Sequence, residues 1–214
     1  MTRARLTLDF FHDVVCGWCF NLSPRLRLLA GEFDLDIRHR TFVLQAGTAE
    51  MIARFGSMPA AKTEILGHWR ACMAASDTPD AFNVDAMAAA PFAYPHGLPG
   101  ALACKAAERQ GGQAAHWDMF DAIQRAHLTD VRNVADMRVL ANVAAEIGLD
   151  AARLIDDMAA DATGDRVEAD RREARRLQVR CVPTVIIRET GHRLVNGPVE
   201  DLRAQILANA RLVA

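Results

Sequence analysis

The stretch Cys16-Gly17-Trp18-Cys19 lies where the pattern of the sequence changes. The apolar run Leu6-Thr7-Leu8-Asp9-Phe10-Phe11 precedes it and predicts a strand over residues 4–11, and a helical pattern from about Cys16 to Phe33 follows. Two thiols that are two residues apart at the start of a helix can close into a disulfide. The unpaired N–H groups of the first helical turn favour the thiolate form of the first thiol. The spacing therefore predicts a redox pair in which Cys16 is the nucleophile.

Two other interpretations of this cysteine pair remain open at the sequence level. Zinc sites also contain Cys-x-x-Cys, but they normally need a second pair of ligands at similar spacing, and the remaining cysteines are widely scattered: Cys72, Cys104 and Cys181. His12 could complete a three-ligand site with Cys181. Two buried, inert thiols are the other alternative. The position between a strand and a helix favours redox chemistry over both, and we expect no bound metal.

Composition and charge limit the class of protein. The chain has 214 residues, 51% of them hydrophobic, so it can bury one substantial core and has room for one domain with a large insertion. A formal net charge of −2 provides no basic field for nucleic acid. No secretory signal and no long apolar segment precede Cys16. We therefore expect a cytoplasmic monomer or homodimer that binds neither nucleic acid nor membranes, in which a cysteine pair is more often catalytic than structural.

The first part of the chain predicts a compact strand–helix–strand unit. A second strand is expected from Leu35 to Val43, and Pro24 should kink the helix between the strands. From about Thr48 to Met158 the pattern is helical and rich in alanine, which indicates an insertion of about five helices. The helices should be separated at Gly111-Gly112, at a capping pair formed by Asn133 and Asp136, and at Gly148.

The last part of the chain predicts a return to strands. A charged helix from about Thr163 to Val179 should be solvated, because its arginines alternate with acidic residues. A strand over Thr184–Arg188, a turn, a strand over His192–Asn196 and a helix over Val199–Leu212 should follow. We divide the chain accordingly into one domain formed by residues 1–47 and 160–214 and a helical insertion domain formed by residues 48–159.

The segment Val182-Pro183-Thr184 is the second feature that bears on function. A proline that opens a strand cannot donate a ladder hydrogen bond, so it indicates a sheet edge or a special turn. Together with the features above, it makes the chain resemble the DsbA-like branch of the thioredoxin superfamily over essentially its whole length. The resemblance is greatest to the cytosolic group of predicted protein-disulfide isomerases with tryptophan in the third motif position. Three segments carry it: Asp13-Val14-Val15-Cys16-Gly17-Trp18-Cys19, Ala122-Ile123-Gln124-Arg125-Ala126-His127, and Leu177-Gln178-Val179-Arg180-Cys181-Val182-Pro183-Thr184-Val185.

This resemblance implies an α/β, thioredoxin-like fold with a large helical insertion. It also implies that Pro183 is cis and faces the dithiol, and that the Val182 backbone offers hydrogen bonds to a substrate. The activity would be that of a thiol:disulfide oxidoreductase or protein-disulfide isomerase, in which Cys16 attacks a disulfide and Cys19 resolves the mixed disulfide. No cofactor is expected besides the Cys16–Cys19 disulfide, with glutathione as a possible co-substrate. The partners would be disulfide-containing proteins or small-molecule thiols.

Three further residues near the motif are candidates for the site. Asp9 lies in an apolar strand, where a carboxylate is costly unless paired or protonated, and by the resemblance it would accept the proton of Cys19. A partly exposed strand aspartate is the alternative. His12, with Asp13, could stabilise the thiolate or simply be solvated in a surface loop. Trp18 could cover the dithiol and bind substrate, or anchor the helix to the insertion.

The loop from Pro91 to Gly100 is the most irregular part of the insertion. In similar proteins the matching loop faces the dithiol, so Tyr94 and His96 are candidate substrate contacts. Two alternative functions remain. Sister families on this scaffold, the kappa-class glutathione transferases and chromene-carboxylate isomerases, use one activated thiol or serine with glutathione. A non-catalytic binding module would use Trp18 and the loop as an apolar surface.

Overall fold

Three strands form the sheet in the computed structural model, which describes residues 5–213. They are β1 (Leu6–His12), β2 (Leu35–Thr41) and β3 (Thr184–Ile187). The order is β2-β1-β3, with β1 parallel to β2 and antiparallel to β3. The parallel pair is connected through a helix, as the strand–helix–strand pattern predicts. Residue 4, where the first strand was expected to begin, lies outside the described residues.

The predicted strand over His192–Asn196 is wrong. Only an isolated bridge between Ile186 and Arg193 is present there. The backbone N–H of Val195 donates to Oε1 of Gln205 at 2.8 Å, and Nε2 of Gln205 donates back to the Val195 carbonyl at 3.1 Å. Because a side chain of the last helix occupies both polar groups of Val195, the ladder does not continue past Leu194.

Nine α-helices account for most of the described chain, together with a short 3₁₀-helix at Pro79–Ala81. They are α1 (Gly17–Glu32), α2 (Thr48–Phe55), α3 (Met58–Ala74), α4 (Val84–Ala89), α5 (Leu98–Leu128), α6 (Met137–Glu146), α7 (Ala151–Ala159), α8 (Asp161–Arg176) and α9 (Val199–Leu212). Pro24 lies inside α1, and α9 has the predicted bounds. Among residues 5–213, no helix combines the length and apolar character needed to cross a bilayer.

Several helix boundaries differ from the sequence prediction for local reasons. The insertion contains six α-helices rather than about five. The predicted break at Gly111-Gly112 is confirmed, because both glycines have non-helical backbone angles and α5 consists of two helices joined at this kink. Asp136 caps α6 through the N–H of Arg138, whereas Asn133 binds the N–H of Ala135 before the helix. The helix α8 ends at Arg176 because Gln178 adopts a positive φ of 54°.

The main hydrophobic core is continuous across both predicted domains. Leu8 and Phe10 of β1 belong to it, and so do Phe120 and Leu140 of the insertion. Phe10 meets Phe120 edge-on, with ring centroids 5.9 Å apart. The thioredoxin-like fold with a helical insertion is confirmed; the exact domain division stays a prediction.

A buried ion-pair network lies on the opposite face of β1. Asp9 is only 2% exposed, and its carboxylate accepts hydrogen bonds from Nε of Arg40 at 2.9 Å and from Nε of Arg188 at 2.5 Å. Arg40 also binds Asp170 of α8 at 3.0 Å. This network joins β1, β2, β3 and α8. The prediction that Asp9 accepts the proton of Cys19 is wrong, because two guanidinium groups occupy its carboxylate on the far side of the sheet.

We expect Asp9→Asn to lower the free energy of unfolding by about 3 kcal/mol, because it removes the buried charge that pairs with Arg188 and leaves Arg40 with Asp170 alone. Asp36→Asn is the matched control, since Asp36 pairs with Arg38 of the same strand in a more exposed position. That change should cost less than about 1 kcal/mol. Urea unfolding followed by circular dichroism measures both. An equal loss of unfolding free energy in the two variants would show that the buried network adds no more stability than the exposed pair.

Candidate active site

Cys16 is the residue at which α1 begins. Its carbonyl accepts the N–H groups of Cys19 at 3.0 Å and Phe20 at 3.2 Å, so its side chain lies at the open end of the helix. Nε2 of Gln124 on α5 donates to the same carbonyl at 2.9 Å. The Cys16 side chain is 8% exposed, whereas Cys19 one turn later is fully buried. One sulfur is therefore accessible and the other lies behind it.

The Val182–Pro183 peptide faces the first cysteine. This peptide bond is cis, and the Cys16 thiol donates to the Val182 carbonyl over 3.6 Å. Val182 is thus close enough to hold a substrate chain beside the sulfur. Cys181, the preceding residue, is exposed and lies outside the cleft lining.

A cleft of about 250 Å³ opens above Cys16. Its walls come from α1, from the segment after β2, from α2 and α3, and from the loop before α5. Trp18, which is 37% exposed, lies at its edge. The lining residues are Val15, Cys16, Gly17, Trp18, Leu44, Gln45, Arg54, Phe55, Ile65, His68, Trp69, Cys72, Tyr94 and Val182. A larger cavity of about 580 Å³, lined by α1, α5 and Ile147, contains no cysteine or histidine and offers no comparable chemistry.

Asp13 is the carboxylate that lies near the dithiol. Its two oxygens accept the N–H groups of Val15 at 3.2 Å and Leu44 at 2.6 Å, and burial raises the pKa of the carboxyl although these donors oppose the shift. Burial also raises the pKa of Cys19 well above its usual range, with the Cys16 sulfur adding to the effect. A negative charge on Asp13 disfavours a second negative charge on the Cys19 sulfur and so also raises the pKa of Cys19. Asp13 therefore occupies the place that the sequence prediction gave to Asp9.

Glycine at position 97 makes room for the Asp13 carboxylate. A Cβ atom there would lie 2.3 Å from Oδ1 of Asp13. The loop before α5 thus closes over the carboxylate, which is why Asp13 is buried and not solvated.

Tyr94 lies in the floor of the cleft instead of at its surface. Its hydroxyl donates to the Val15 carbonyl at 3.2 Å and is 3.0 Å from both Nε1 of Trp69 and Nε2 of His127. Burial raises the pKa of Tyr94 well above its ordinary value. Tyr94 therefore ties the insertion to the residue before Cys16. His96 is half-buried and is not among the described residues that line the cleft, and its contact with a substrate stays a prediction.

His12 is the last residue of β1, not part of a surface loop. It is 1% exposed and packs against His39, His116 and Phe120. Burial, with neighbouring positive charge, lowers the pKa of its imidazole well below the usual value. The prediction that His12 binds substrate or is solvated is therefore wrong, since the ring is enclosed and neutral.

Helix α3 adds residues that the sequence prediction did not assign to the site. Cys72 is both buried and part of the cleft wall. A Cβ atom on Gly17 would lie 3.0 Å from its sulfur. Burial raises the pKa of Cys72 to about 12. Ile65, Trp69 and Cys72 are three or four residues apart and share one face of α3, but no local pattern in the sequence shows that this face meets the dithiol.

We expect iodoacetamide to modify Cys16 and Cys181 in the reduced native protein at neutral pH, and to leave Cys19 and Cys72 unmodified. The last two thiols are buried, and their raised pKa values keep them protonated. Peptide mass spectrometry measures the labelling of each cysteine. All five should react in urea, which serves as the control. Cys19 reacting as fast as Cys16 in the native protein would contradict the arrangement.

The chain was compared with known families and structures. The model of the DSBA-like thioredoxin domain matches residues 7–206. No curated protein is significantly similar in sequence. A candidate protein disulfide isomerase from Nitrosomonas europaea superposes with a TM-score of 0.80 at 19% identity, covering 98% of this chain and 100% of that one.

A second similar structure is the cytosolic disulfide reductase DsbM from Pseudomonas aeruginosa. It has a TM-score of 0.77 and 25% identity, with 97% of this chain and 100% of that chain covered. The structure of DsbM with GSH has a TM-score of 0.72 at 25% identity, covering 96% and 100%. The family match extends over nearly the whole chain and includes the dithiol and the Val182–Pro183 segment. The chain therefore belongs to the DSBA-like thioredoxin domain family, a family of thiol:disulfide oxidoreductases.

Proposed function

We propose that Cys16 and Cys19 are the catalytic dithiol of a cytoplasmic disulfide reductase that acts on disulfides of small anionic thiols. One observation supports this above all: the Cys16 sulfur lies in a cleft, 3.6 Å from the Val182 carbonyl, with the buried Cys19 one helical turn behind it. This arrangement supplies one attacking thiol, a backbone carbonyl to hold the substrate, and one resolving thiol.

The exchange follows from the order of exposure. The Cys16 thiolate attacks one sulfur of a substrate disulfide, the S–S bond breaks, and the second substrate sulfur leaves as a thiolate that takes up a proton. The Cys19 sulfur then attacks Cys16, which releases the remaining substrate thiol and closes the Cys16–Cys19 disulfide. Two electrons pass from the dithiol to the substrate, and a separate dithiol reductant, which becomes a disulfide itself, restores the reduced enzyme.

Asp13 is the group suited to receive the Cys19 proton. Burial holds Cys19 in its protonated form, so the second attack needs a base within the enclosed site. Burial raises the pKa of the Asp13 carboxyl, which brings its affinity for a proton closer to that of a thiol. The Val15 and Leu44 N–H groups hold the carboxylate in place while it changes charge.

The cleft lining favours an anionic substrate. Arg54 of α2 lines the cleft, and no lysine, aspartate or glutamate is among the described residues that line it. The remaining wall is largely apolar, with Trp18, Phe55, Ile65 and Trp69. A cleft of about 250 Å³ suits a peptide-sized thiol better than a folded protein. Glutathione combines a thiol with carboxylates, and the similar DsbM structure with GSH supports it as the first substrate to test.

We expect Cys16→Ala to lower the dithiothreitol-driven reduction of glutathione disulfide to the uncatalysed rate, because no other thiol in the cleft is accessible. Cys19→Ala should lower the rate and accumulate a mixed disulfide of Cys16 with glutathione, detected by intact-protein mass spectrometry. Cys104→Ala is the matched control for the loss of a buried thiol, since Cys104 is fully buried and does not line the cleft.

The same variants separate the alternative functions. Full activity in Cys19→Ala with glutathione present, combined with loss in Cys16→Ala, would replace the proposal with a single-thiol glutathione transferase or isomerase. Full activity of both variants in a binding or chaperone assay, with no reduction of glutathione disulfide by the wild-type protein, would replace it with a non-catalytic binding module.

We expect Arg54→Gln to raise KM for glutathione disulfide several-fold and to leave kcat nearly unchanged, because Arg54 contributes binding rather than sulfur chemistry. Reduction of the neutral 2-hydroxyethyl disulfide should not change. Arg70→Gln is the matched control, since Arg70 is an exposed arginine of the neighbouring helix α3 that does not line the cleft. Equal effects of Arg54→Gln on the charged and the neutral disulfide would contradict the assignment of an anionic substrate.

A further inference from the structure

Three imidazole rings meet in the core between the sheet and α5. They belong to His12 at the end of β1, His39 of β2 and His116 of α5, and each is at most 1% exposed. Their ring centroids lie 5.1 to 5.3 Å apart. One possible ligand nitrogen from each ring lies within 4.8 Å of the others. The proposed sulfur chemistry uses none of these three residues.

The distance between two of these nitrogens matches a shared metal ion. Nε2 of His12 and Nε2 of His116 are 3.2 Å apart. Two ligands of a tetrahedral zinc ion with Zn–N bonds of about 2.0–2.1 Å are separated by about 3.3 Å. The same distance also fits one N–H···N hydrogen bond, so the pair alone does not decide between the two arrangements.

The third ring indicates that a ligand belongs among them. Neither ring nitrogen of His39 has a hydrogen-bond partner within residues 5–213, although the ring is 1% exposed. Nδ1 of His12 has none there either. Buried polar atoms normally have partners, because an unsatisfied one costs about 1–3 kcal/mol. A bound metal ion would give one of the two His39 nitrogens a partner.

Glu108 fixes the orientation that metal binding requires of His116. Nδ1 of His116 is 3.0 Å from Oε2 of Glu108, and the same carboxylate pairs with Lys105 at 3.0 Å and with Arg166. An ionised carboxylate only accepts, so Nδ1 carries the hydrogen and the lone pair of Nε2 points towards His12. Carboxylates hold metal-binding histidines in this way in many proteins.

The charges around the cluster also suit a metal ion. The nearby ammonium of Lys105 is bound to Asp170 at 2.7 Å and to Glu108 at 3.0 Å. These two carboxylates offset the cation that would otherwise repel a metal ion most strongly.

We propose that His12, His39 and His116 form a structural binding site for a divalent transition metal, with zinc as the best match. Three neutral imidazoles suit zinc, and also cobalt, nickel and copper, whereas calcium and magnesium prefer oxygen ligands. The described residues bury the rings, so the metal enters as the chain folds. It would join β1, β2 and α5 directly beneath the segment that leads to Cys16.

The test uses the full chain with Cys16→Ser and Cys19→Ser, so that the dithiol does not bind the metal. The protein is refolded from urea with Zn²⁺ or Co²⁺, and unbound metal is removed with a chelating resin. We expect inductively coupled plasma mass spectrometry to find about one metal ion per chain. The Co²⁺ protein should have an absorption spectrum typical of nitrogen ligands, and the metal-bound protein should have a higher Tm than protein refolded with EDTA.

Two variants and one control in the same background identify the site. His39→Phe, which retains an aromatic ring beside Phe10 and Trp117, should abolish binding, and Glu108→Gln should weaken it about 10–100-fold. His192→Phe changes an exposed histidine and should bind one ion as before. Refolded protein that contains no metal, or stoichiometry that His39→Phe does not change while circular dichroism shows a folded chain, would overturn the proposal.

Discussion

The buried carboxylate of Asp13 is the interaction on which the geometry of the dithiol depends. It accepts the N–H of Val15 from the segment before Cys16 and that of Leu44 from the segment after β2. The Asp13 carbonyl accepts the N–H of Cys16 itself, at 3.1 Å. A carboxylate removed from water is stable only while such donors surround it. The segment between β1 and α1 is therefore held in one conformation, which places the Cys16 sulfur opposite Val182.

The side chains of β1 lie in two different environments because they alternate between the two faces of the sheet. Phe10 and His12 face α5 and the imidazole cluster, whereas Asp9 and Phe11 face the other side, where Phe11 packs with Ala174 of α8. The apolar face anchors the insertion, and the charged face joins the neighbouring strands to α8. The same alternation separates Asp9 from the dithiol, although only a few residues lie between them in the chain.

Local patterns predicted most of the framework, and long-range contacts decided the rest. The strand before Cys16, the helix after it and the bounds of α9 follow from periodicity and capping residues. Asp13 looked like a loop residue because nothing nearby shows that Gly97 closes over it. The cluster of His12, His39 and His116 was equally hidden, since its members lie on three elements that are distant in sequence. Local sequence patterns do not show which residues a distant segment of the chain will bury.

The insertion is more than an addition to the redox unit, because it supplies half of the cleft. Cys16, Trp18 and Val182 come from the segments on either side of it, whereas Arg54, Trp69 and Cys72 come from α2 and α3. A Cβ atom on Gly17 would lie 3.0 Å from the Cys72 sulfur and 3.2 Å from the Phe82 ring. The glycine inside the Cys-x-x-Cys motif therefore determines how closely α3 approaches α1. In this chain the motif sets the packing of the recognition helices as well as the environment of its two sulfurs.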